Sequence, residues 1–248
     1  MSSPSTERGA VERVRGGRFG LLSGLLGDAV QAVTVPGRLP RLLDCGGGSG
    51  AFAVPLASAG ADVTVLDVSA DALATLTRRA TEAGVGDRVH AVQGDVEAMG
   101  DLVEPGAFDL VLAHGVLEAV DDPAGALRGV AAAVRPGGLV SVLVANPVSV
   151  VLARALAGDP AGALHELRSL DAPGRVDPAS VARLCADAGL TVEARHGIGV
   201  FSDLVPGSAL DAPGARDALA ALDAAAASKT PFAELAGRVQ LRVRRPLG

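Results

Sequence analysis

Residues 42–57 read LLDCGGGSGAFAVPLA, an apolar run that stops in a glycine-rich loop before helix-forming residues resume. This order is typical of a strand, a tight loop and a helix. Glycines in such a loop let the backbone approach a ligand closely, and the amides at the helix start face any negative charge. We therefore predict a ligand-binding turn at the carboxyl edge of a sheet, formed by Gly46, Gly47, Gly48 and Gly50.

Strand and helix patterns alternate on both sides of this loop. Strands are expected over 41–45, 62–67, 88–94, 108–113 and 139–145, and helices over 51–59, 70–84 and 123–134. This spacing favours βαβ units, and hence a doubly wound α/β fold with a mainly parallel sheet. Beyond residue 146 we expect helices over 148–170, 179–188 and within 210–227, and strands over 191–195 and 239–245.

Composition excludes several classes of protein. The chain has 248 residues, of which 49% are hydrophobic, so an intrinsically disordered chain is excluded. Its 22 Lys+Arg against 28 Asp+Glu give a net charge of −6, which provides no overall attraction to phosphate backbones. Trp and Tyr are absent, which argues against stacking platforms for single-stranded nucleic acid.

Localisation and metal binding follow from what the sequence lacks. The start of the chain has no apolar signal-peptide core, and the most apolar stretch, 139–156, is interrupted by Asn146, Pro147 and Arg154. Cys45 and Cys185 are too far apart in sequence for a ligand pair, and the four histidines show no paired spacing. We expect a soluble, cytoplasmic protein with no membrane segment and no metal site.

Three aspartates at predicted strand ends distinguish between possible ligands. Asp67 ends the second strand, 19 residues beyond Gly48, where a carboxylate can bind both hydroxyls of a ribose. This position suits an NAD enzyme and an S-adenosylmethionine enzyme equally well. Asp95 follows the third strand and could accept the adenine amino group, while Asp44 would lie near a ligand ammonium. So many acids repel a pyrophosphate and attract a sulfonium-bearing ligand, although all three could instead be strand caps and turn residues.

The motifs LLDCGGGSG, DVTVLDVS, GDV, FDLVLAHGVLEAVDDP and VRPGG together resemble the class I S-adenosylmethionine-dependent methyltransferases over residues 39–146. The resemblance implies a Rossmann-like seven-stranded sheet with an antiparallel last strand and a helical cap after strand five. It implies cofactor contacts from Asp44, Gly46, Gly47, Gly48, Gly50, Asp67, Val68, Asp95, Val96 and His114. It also divides the chain into an N-terminal arm and helix (1–38), a cofactor-binding core (39–146), a helical cover (147–190) and C-terminal elements completing the sheet (191–248).

The later motifs HGVLEAVDDP, ANPVSVV, DPASVARLCADAGL, GIGVFSD and TPFAELAGRVQLRVRRP look like the bacterial tRNA 5-carboxymethoxyuridine carboxyl methyltransferases. Three positions depart from that family's pattern. Gly27 stands in place of a cofactor-contacting arginine, HELRSLD in place of a lysine run, and Gly199 in place of a basic residue. Arg18 in the N-terminal arm could replace the missing arginine.

The acceptor is predicted from chemistry and charge. A hydroxyl acceptor needs a base, for which His114 is the candidate, whereas a carboxylate needs none. Glu118 is a candidate substrate contact, and Arg154 or Arg175 could bind a substrate carboxylate. Because Lys229 is the sole lysine, we expect a small-molecule acceptor methylated at a carboxylate or hydroxyl oxygen. Open alternatives are a wobble uridine in tRNA, an NAD-dependent dehydrogenase and a non-catalytic cofactor-binding protein.

Overall fold

The protein is described by a computed structural model, which covers residues 20–172 and 174–247. Its helices are α1 Gly20–Val33, α2 Ala53–Ser58, α3 Ala70–Glu82, α4 Pro123–Ala133, α5 Pro147–Leu156, α6 Pro160–Ser169, α7 Pro178–Asp187, α8 Ala215–Ala226 and α9 Phe232–Leu235. Its strands are β1 Arg41–Cys45, β2 Asp62–Asp67, β3 Val89–Gln93, β4 Phe108–His114, β5 Val134–Ala145, β6 Thr191–Ile198 and β7 Arg238–Arg244.

The strands form one seven-stranded sheet in the order β3-β2-β1-β4-β5-β7-β6. The pairs β1–β2, β1–β4 and β2–β3 are parallel. The last strand, β7, is antiparallel to its neighbour β5. Two reciprocal backbone hydrogen bonds at the end of this pair show the direction: Gly137 N donates to Arg245 O, and Arg245 N donates to Gly138 O. The expected α/β fold with an antiparallel last strand and helices after strand five is therefore confirmed.

The described residues fall into two compact units. One comprises residues 25–142, 182–194 and 241–247 and contains the glycine loop. The other comprises residues 20–24, 143–172, 174–181 and 195–240. In the first unit, β1 and β4 are buried almost throughout, which is why both are apolar runs rather than alternating ones.

Helix α3 illustrates how the sequence specifies an element beside the loop. The Ser69 side chain caps its start by accepting a hydrogen bond from Ala72 N at 3.2 Å. Leu73, Leu76 and Ala80 are buried along one face of the helix. A capped helix with one apolar face packs against the sheet, as the pattern over 70–84 predicts.

Two predicted boundaries are wrong. The helix expected over 148–170 is two helices, because Gly158 adopts φ 81° and Asp159 caps α6 by accepting a hydrogen bond from Gly162 N at 2.8 Å. Strand β5 begins at Val134 rather than 139, so residues 135–138, where a turn before the strand is predicted from the sequence RPGG, lie within the strand. A side chain at Gly138 would meet Asp109 O at 2.8 Å, so glycine permits this close strand approach.

A buried carboxylate bound by two arginines lies at the amino end of β4. Asp109 is 1% exposed and accepts two hydrogen bonds from Arg38, both at 2.7 Å, and one from Arg135 Nε at 2.6 Å. It also accepts the Arg41 backbone N–H at 2.8 Å. Burial alone would raise the pKa of Asp109, but these donors outweigh burial and lower the pKa to about 2.

Asn146, which follows β5, holds distant parts of the second unit together. Its side-chain amide donates to Glu234 O at 2.7 Å and Ala236 O at 2.9 Å. Its Oδ1 accepts Val148 N at 3.2 Å, which caps α5, and its backbone N–H donates to Gly237 O at 3.0 Å. One buried side chain thus connects the end of β5, the start of α5 and the approach to β7.

No helix within the described ranges is both long and apolar enough to span a membrane.

Candidate functional site

The glycine loop follows β1 and turns sharply into α2. Gly46 and Gly50 have φ of 66° and 78°, a region that side chains rarely occupy. A Cβ at Gly46 would lie 2.7 Å from Val116 Cγ2, and one at Gly47 would lie 2.5 Å from Asp44 Oδ2. A Cβ at Gly50 would overlap the side chain of Leu76 on α3. Protein atoms therefore fill the space beside these three glycines.

Gly48 differs from its neighbours in the loop. Its φ is also positive, at 53°, but the nearest atom to an added Cβ is Asp67 Oδ2, at 3.8 Å. The side-chain position of Gly48 therefore opens onto space beside the Asp67 carboxylate. A ligand that approaches the loop backbone closely would enter this space.

Asp67, at the carboxyl end of β2, is held by two backbone amides. Oδ2 accepts Gly48 N and Oδ1 accepts Ser69 N, each at 2.9 Å. A carboxylate oxygen can accept more than one hydrogen bond, so both oxygens keep the capacity to accept a donor from a ligand. Asp67 can thus fix the loop and bind a vicinal diol at the same time.

Asp44 lies beneath the loop and is 1% exposed. Among the described residues no group donates a hydrogen bond to its Oδ2. Burial, with a smaller contribution from the charge of Asp67, raises the pKa of Asp44 to about 7. A buried carboxyl oxygen without a donor suits a cationic ligand, since the ligand would supply the missing donor and charge.

The acidic turn after β3 combines a polar cap with apolar surface. Asp95 Oδ1 accepts Glu97 N at 2.9 Å and so caps the short helix Val96–Asp101. Val96 is buried, whereas Val68, after β2, is 64% exposed. The capping role expected as the alternative for Asp95 is thus present, and Val68 offers an uncovered apolar side chain to a ring.

His114 ends β4 and is held from two directions. Its Nε2 lies 2.9 Å from Ser141 Oγ on β5. Its ring meets the edge of Phe52, with centroids 5.2 Å apart and planes at 89°. These contacts fix the imidazole at the carboxyl edge of the sheet, where a base would be needed. Glu118, in the turn that follows, is exposed.

The predicted substrate arginines are bound by other groups of the chain. Arg154, in the last turn of α5, lies 3.0 Å from Asp159 Oδ2 and 3.6 Å from Glu166 Oε1. Arg175 donates to both the carbonyl and the hydroxyl oxygen of Ser169, each at 3.0 Å. Arg18 lies outside the described residues. A substrate carboxylate would have to compete with two carboxylates for Arg154.

Three residues that shape this region were not predicted from the sequence. Ser141 positions His114, Phe52 packs on its ring, and Arg79 of α3 donates to Ser49 O in the glycine loop at 2.8 Å. Ser141 had a signal, because it is polar within the otherwise apolar run 139–145. The sequence gives no such signal for Arg79, since a basic residue is common in the last turn of a helix.

The geometry fits S-adenosylmethionine better than a dinucleotide. The combination of a buried carboxyl oxygen without a donor, a second carboxylate at a strand end and an open glycine position would favour a cationic, ribose-bearing ligand over an anionic pyrophosphate. Within the described residues, no group of three or more His, Cys, Asp or Glu side chains could hold a metal ion.

Comparison with known proteins agrees with this geometry. Residues 43–142 match a family model described as a methyltransferase domain. The tRNA 5-carboxymethoxyuridine methyltransferase of Escherichia coli (strain K12) is 32% identical over 181 residues, which cover 71% of this chain and 69% of that protein. A ubiquinone biosynthesis O-methyltransferase of Methylocella silvestris is 34% identical over 174 residues, covering 67% and 64%.

A solved structure shares the fold. The S-adenosylmethionine-dependent methyltransferase from Mesorhizobium loti superposes with a TM-score of 0.58 at 18% identity, covering 94% of this chain and 100% of that one. The identity to the curated relative, the matched domain and this shared fold lead to one assignment. The chain belongs to the class I S-adenosylmethionine-dependent methyltransferases, and S-adenosylmethionine is its cofactor.

Proposed function

We propose that the enzyme transfers the methyl group to an oxygen of a small molecule, at a hydroxyl in preference to a carboxylate. The observation that carries this proposal is that many arginines are already bound to other groups of the chain. Eight described arginines lie within 4.0 Å of a carboxylate of the chain: Arg38, Arg78, Arg88, Arg128, Arg135, Arg154, Arg242 and Arg244. Arg79, Arg175 and Arg245 donate to backbone carbonyls.

These partners reduce the positive charge available to an anionic acceptor. An RNA-binding surface needs several basic side chains that reach phosphates. The chain carries a net charge of −6 and a single lysine, and much of its arginine is paired internally. A neutral hydroxyl acceptor requires no cationic partner, so it fits this charge distribution better than a polyanion.

Methyl transfer to a hydroxyl needs alignment and a proton acceptor. S-adenosylmethionine supplies an electrophilic methyl carbon on a sulfonium when bound. Transfer of the methyl group would leave S-adenosylhomocysteine, so the chain itself would need only to align the acceptor oxygen with that carbon and to accept its proton. We propose that His114, fixed by Ser141 and Phe52, takes the hydroxyl proton.

The acceptor is tested by incubating the enzyme with methyl-labelled S-adenosylmethionine and either a panel of small hydroxylated and carboxylated compounds or unmethylated total tRNA. We expect label on hydroxylated compounds, and a large loss of turnover on these compounds in His114→Gln. Undiminished transfer to hydroxylated compounds in His114→Gln would show that His114 is not the base.

A second candidate is the carboxyl group of a wobble uridine in tRNA. The identity of 32% to the Escherichia coli enzyme over most of both chains favours this candidate. Efficient labelling of a wobble nucleoside, abolished by high salt, would establish it in place of the small-molecule acceptor.

For the cofactor we propose that Asp67 binds the ribose, Asp95 with Val68 and Val96 flanks the adenine, and Asp44 faces the ammonium beyond Gly46, Gly47, Gly48 and Gly50. Glu118, Arg154, Arg175 and Arg18 stay as proposed contacts to substrate or cofactor. These roles rest on the resemblance and on the carboxylate and glycine geometry described above.

Asp67→Ala should weaken S-adenosylhomocysteine binding by about 1–3 kcal/mol, because ribose hydroxyls and the Gly48 amide lose their acceptor. Isothermal titration calorimetry measures the change. Asp71→Ala, which removes an exposed carboxylate four residues further on, is the matched control and should bind normally. Unchanged affinity in Asp67→Ala would remove this residue from the site.

Cofactor affinity should fall below neutral pH. Since the pKa of Asp44 is raised to about 7 and a cationic ligand favours the carboxylate, binding releases a proton. We expect S-adenosylhomocysteine affinity to drop about fivefold between pH 7 and pH 6. Calorimetry across this range measures it, and Asp44→Asn should lose the dependence.

The raised pKa of Asp44 also affects the stability of the ligand-free protein. Cofactor affinity rises with pH, whereas this contribution to stability falls. Between about pH 4 and pH 7 the native protein keeps on Asp44 a proton that the unfolded chain has lost. The contribution of Asp44 to the free energy of unfolding therefore decreases as pH rises through this window. The free energy of unfolding of wild type should therefore fall relative to that of Asp44→Asn as pH rises. A difference between the two proteins that stays constant with pH would contradict this.

A further inference from the structure

Hydrogen bonds to β2 hold the first part of the glycine loop. Gly46 N donates to Leu66 O at 2.7 Å, and Gly48 N donates to Asp67 Oδ2 at 2.9 Å. Asp67 is also the residue proposed above to bind the ribose, so these contacts place the loop beside the sugar of the cofactor. The part of the loop beyond Gly48 is held by a different element, α3.

This second part of the loop, Ser49 and Gly50, lies against α3. Arg79 Nη1 donates to Ser49 O at 2.8 Å and lies 3.4 Å from Ser49 Oγ. A Cβ at Gly50 would overlap the side chain of Leu76, three residues before Arg79 on the same helix. Because residues three apart share a helix face, one face of α3 supplies both an apolar contact and a charged donor to the loop.

The peptide group between Ser49 and Gly50 is bound at both of its polar atoms. Its carbonyl oxygen accepts the hydrogen bond from Arg79, and its N–H donates to Gly47 O at 3.0 Å. A hydrogen bond from a charged donor is roughly twice as strong as one between neutral groups. Within residues 20–172 and 174–247, by contrast, the amides of Gly47 and Ser49 have no acceptor. Arg79 therefore fixes a peptide group next to amides that stay available to a ligand.

Arg79 differs in its contacts from the arginine before it in sequence. Arg78 and Glu82 form an ion pair at 2.8 Å, and their side chains are 64% and 61% exposed. Arg79 is half-buried and forms no ion pair with another described residue. The charge of Arg79 thus acts on a loop carbonyl rather than on a carboxylate, which makes Arg78 a matched control on the same helix.

We propose that Arg79 is a positioning residue for S-adenosylmethionine binding, which holds Ser49 and Gly50 in the conformation that the cofactor binds. The inference rests on the proposed cofactor site at the glycine loop and is independent of the methyl acceptor. A loop that is ordered before binding loses less conformational entropy when the ligand binds, so its affinity is higher. Without Arg79 the cofactor itself would have to order this peptide group.

Isothermal titration calorimetry with S-adenosylhomocysteine tests the proposal in three variants. Arg79→Met keeps an unbranched apolar side chain on the helix but removes the donor, and it should weaken binding at least tenfold. Arg79→Lys keeps a charged donor and should recover part of the lost affinity. Arg78→Met should bind within about twofold of the wild type. Equal affinities in Arg79→Met and Arg78→Met would overturn the proposal.

Amide NMR of the ligand-free full chain separates positioning of the loop from a loss of overall stability. In Arg79→Met the signals of Ser49 and Gly50 should broaden, because this part of the loop then exchanges between conformations. They should sharpen again when S-adenosylhomocysteine is saturating, while the signals of β1 and β2 stay sharp throughout. Signals of Ser49 and Gly50 in Arg79→Met that are as sharp as those of the wild type would contradict the proposal.

Gly48→Val distinguishes failure of the cofactor site from failure of the role given to Arg79. Loss of binding in Gly48→Val together with wild-type affinity in Arg79→Met would remove the role of Arg79 and leave the site at the loop standing. Normal binding in Gly48→Val would remove the loop from the cofactor site, and the role of Arg79 with it.

Discussion

Gly48→Val should lower S-adenosylhomocysteine affinity at least 100-fold, about 2.7 kcal/mol, while the chain still unfolds cooperatively. A valine there enters open space, where the nearest protein atom to a Cβ is 3.8 Å away. The loss would therefore come from exclusion of the ligand and from distortion of the loop backbone at φ 53°.

Gly84→Val is the control for the general effect of backbone strain on the fold. Gly84 follows α3, has φ of 71°, and has nothing within 4 Å of an added Cβ. Both variants impose similar backbone strain, of order 1–3 kcal/mol, on the stability of the fold. Calorimetry should show normal cofactor binding in Gly84→Val alone. If both variants bind normally, the ligand does not approach the loop at Gly48.

Asp109→Ala should lower the free energy of unfolding by about 3–5 kcal/mol, because the variant leaves Arg38, Arg135 and the Arg41 amide without their shared acceptor. Chemical denaturation of the ligand-free protein measures this loss. Glu82→Ala breaks the exposed pair between Arg78 and Glu82 and should cost only about 0.3–0.5 kcal/mol.

The stabilisation by Asp109 also has a defined pH window. Its pKa in the fold, about 2, is below the value of an unpaired carboxyl, so its contribution is complete above the unfolded pKa and disappears as pH falls through the folded one. The difference in stability between wild type and Asp109→Ala should therefore shrink between about pH 4 and pH 2. A difference independent of pH would mean that the ion pairs contribute little.

The sequence predicts the fold where local and long-range requirements agree. The runs at β1, β2 and β4 are apolar because neighbouring strands bury them, and Ser69 marks the start of α3 by a capping contact within four residues. The break between α5 and α6 does have a signal in the sequence, because Gly158 is followed by Asp159 and Pro160, an N-cap residue and a proline at the start of α6. The alanine- and leucine-rich residues on both sides outweighed this signal in the prediction of one helix.

The candidate site is less predictable, because pairing between distant residues decides it. The positions of the glycines and of Asp67 follow from strand ends, which sequence patterns mark well. The partners of Arg154 and the hydrogen bond between His114 and Ser141 depend on how helices and strands pack. Sequence alone left Arg154 available to a substrate, and packing gives it two carboxylates.

Asn146 has a consequence for how this enzyme could acquire new acceptors. Its amide closes a loop of 88 residues at Glu234, so the ends of the intervening segment stay fixed whatever lies between them. The entropy of closing a loop grows only slowly with its length. Insertions, deletions and exchanges in the connections between α5 and α9 could therefore accumulate without disturbing β5 or the approach to β7. These connections are thus free to diversify, while Asn146 itself and β6, which pairs in the sheet, are constrained.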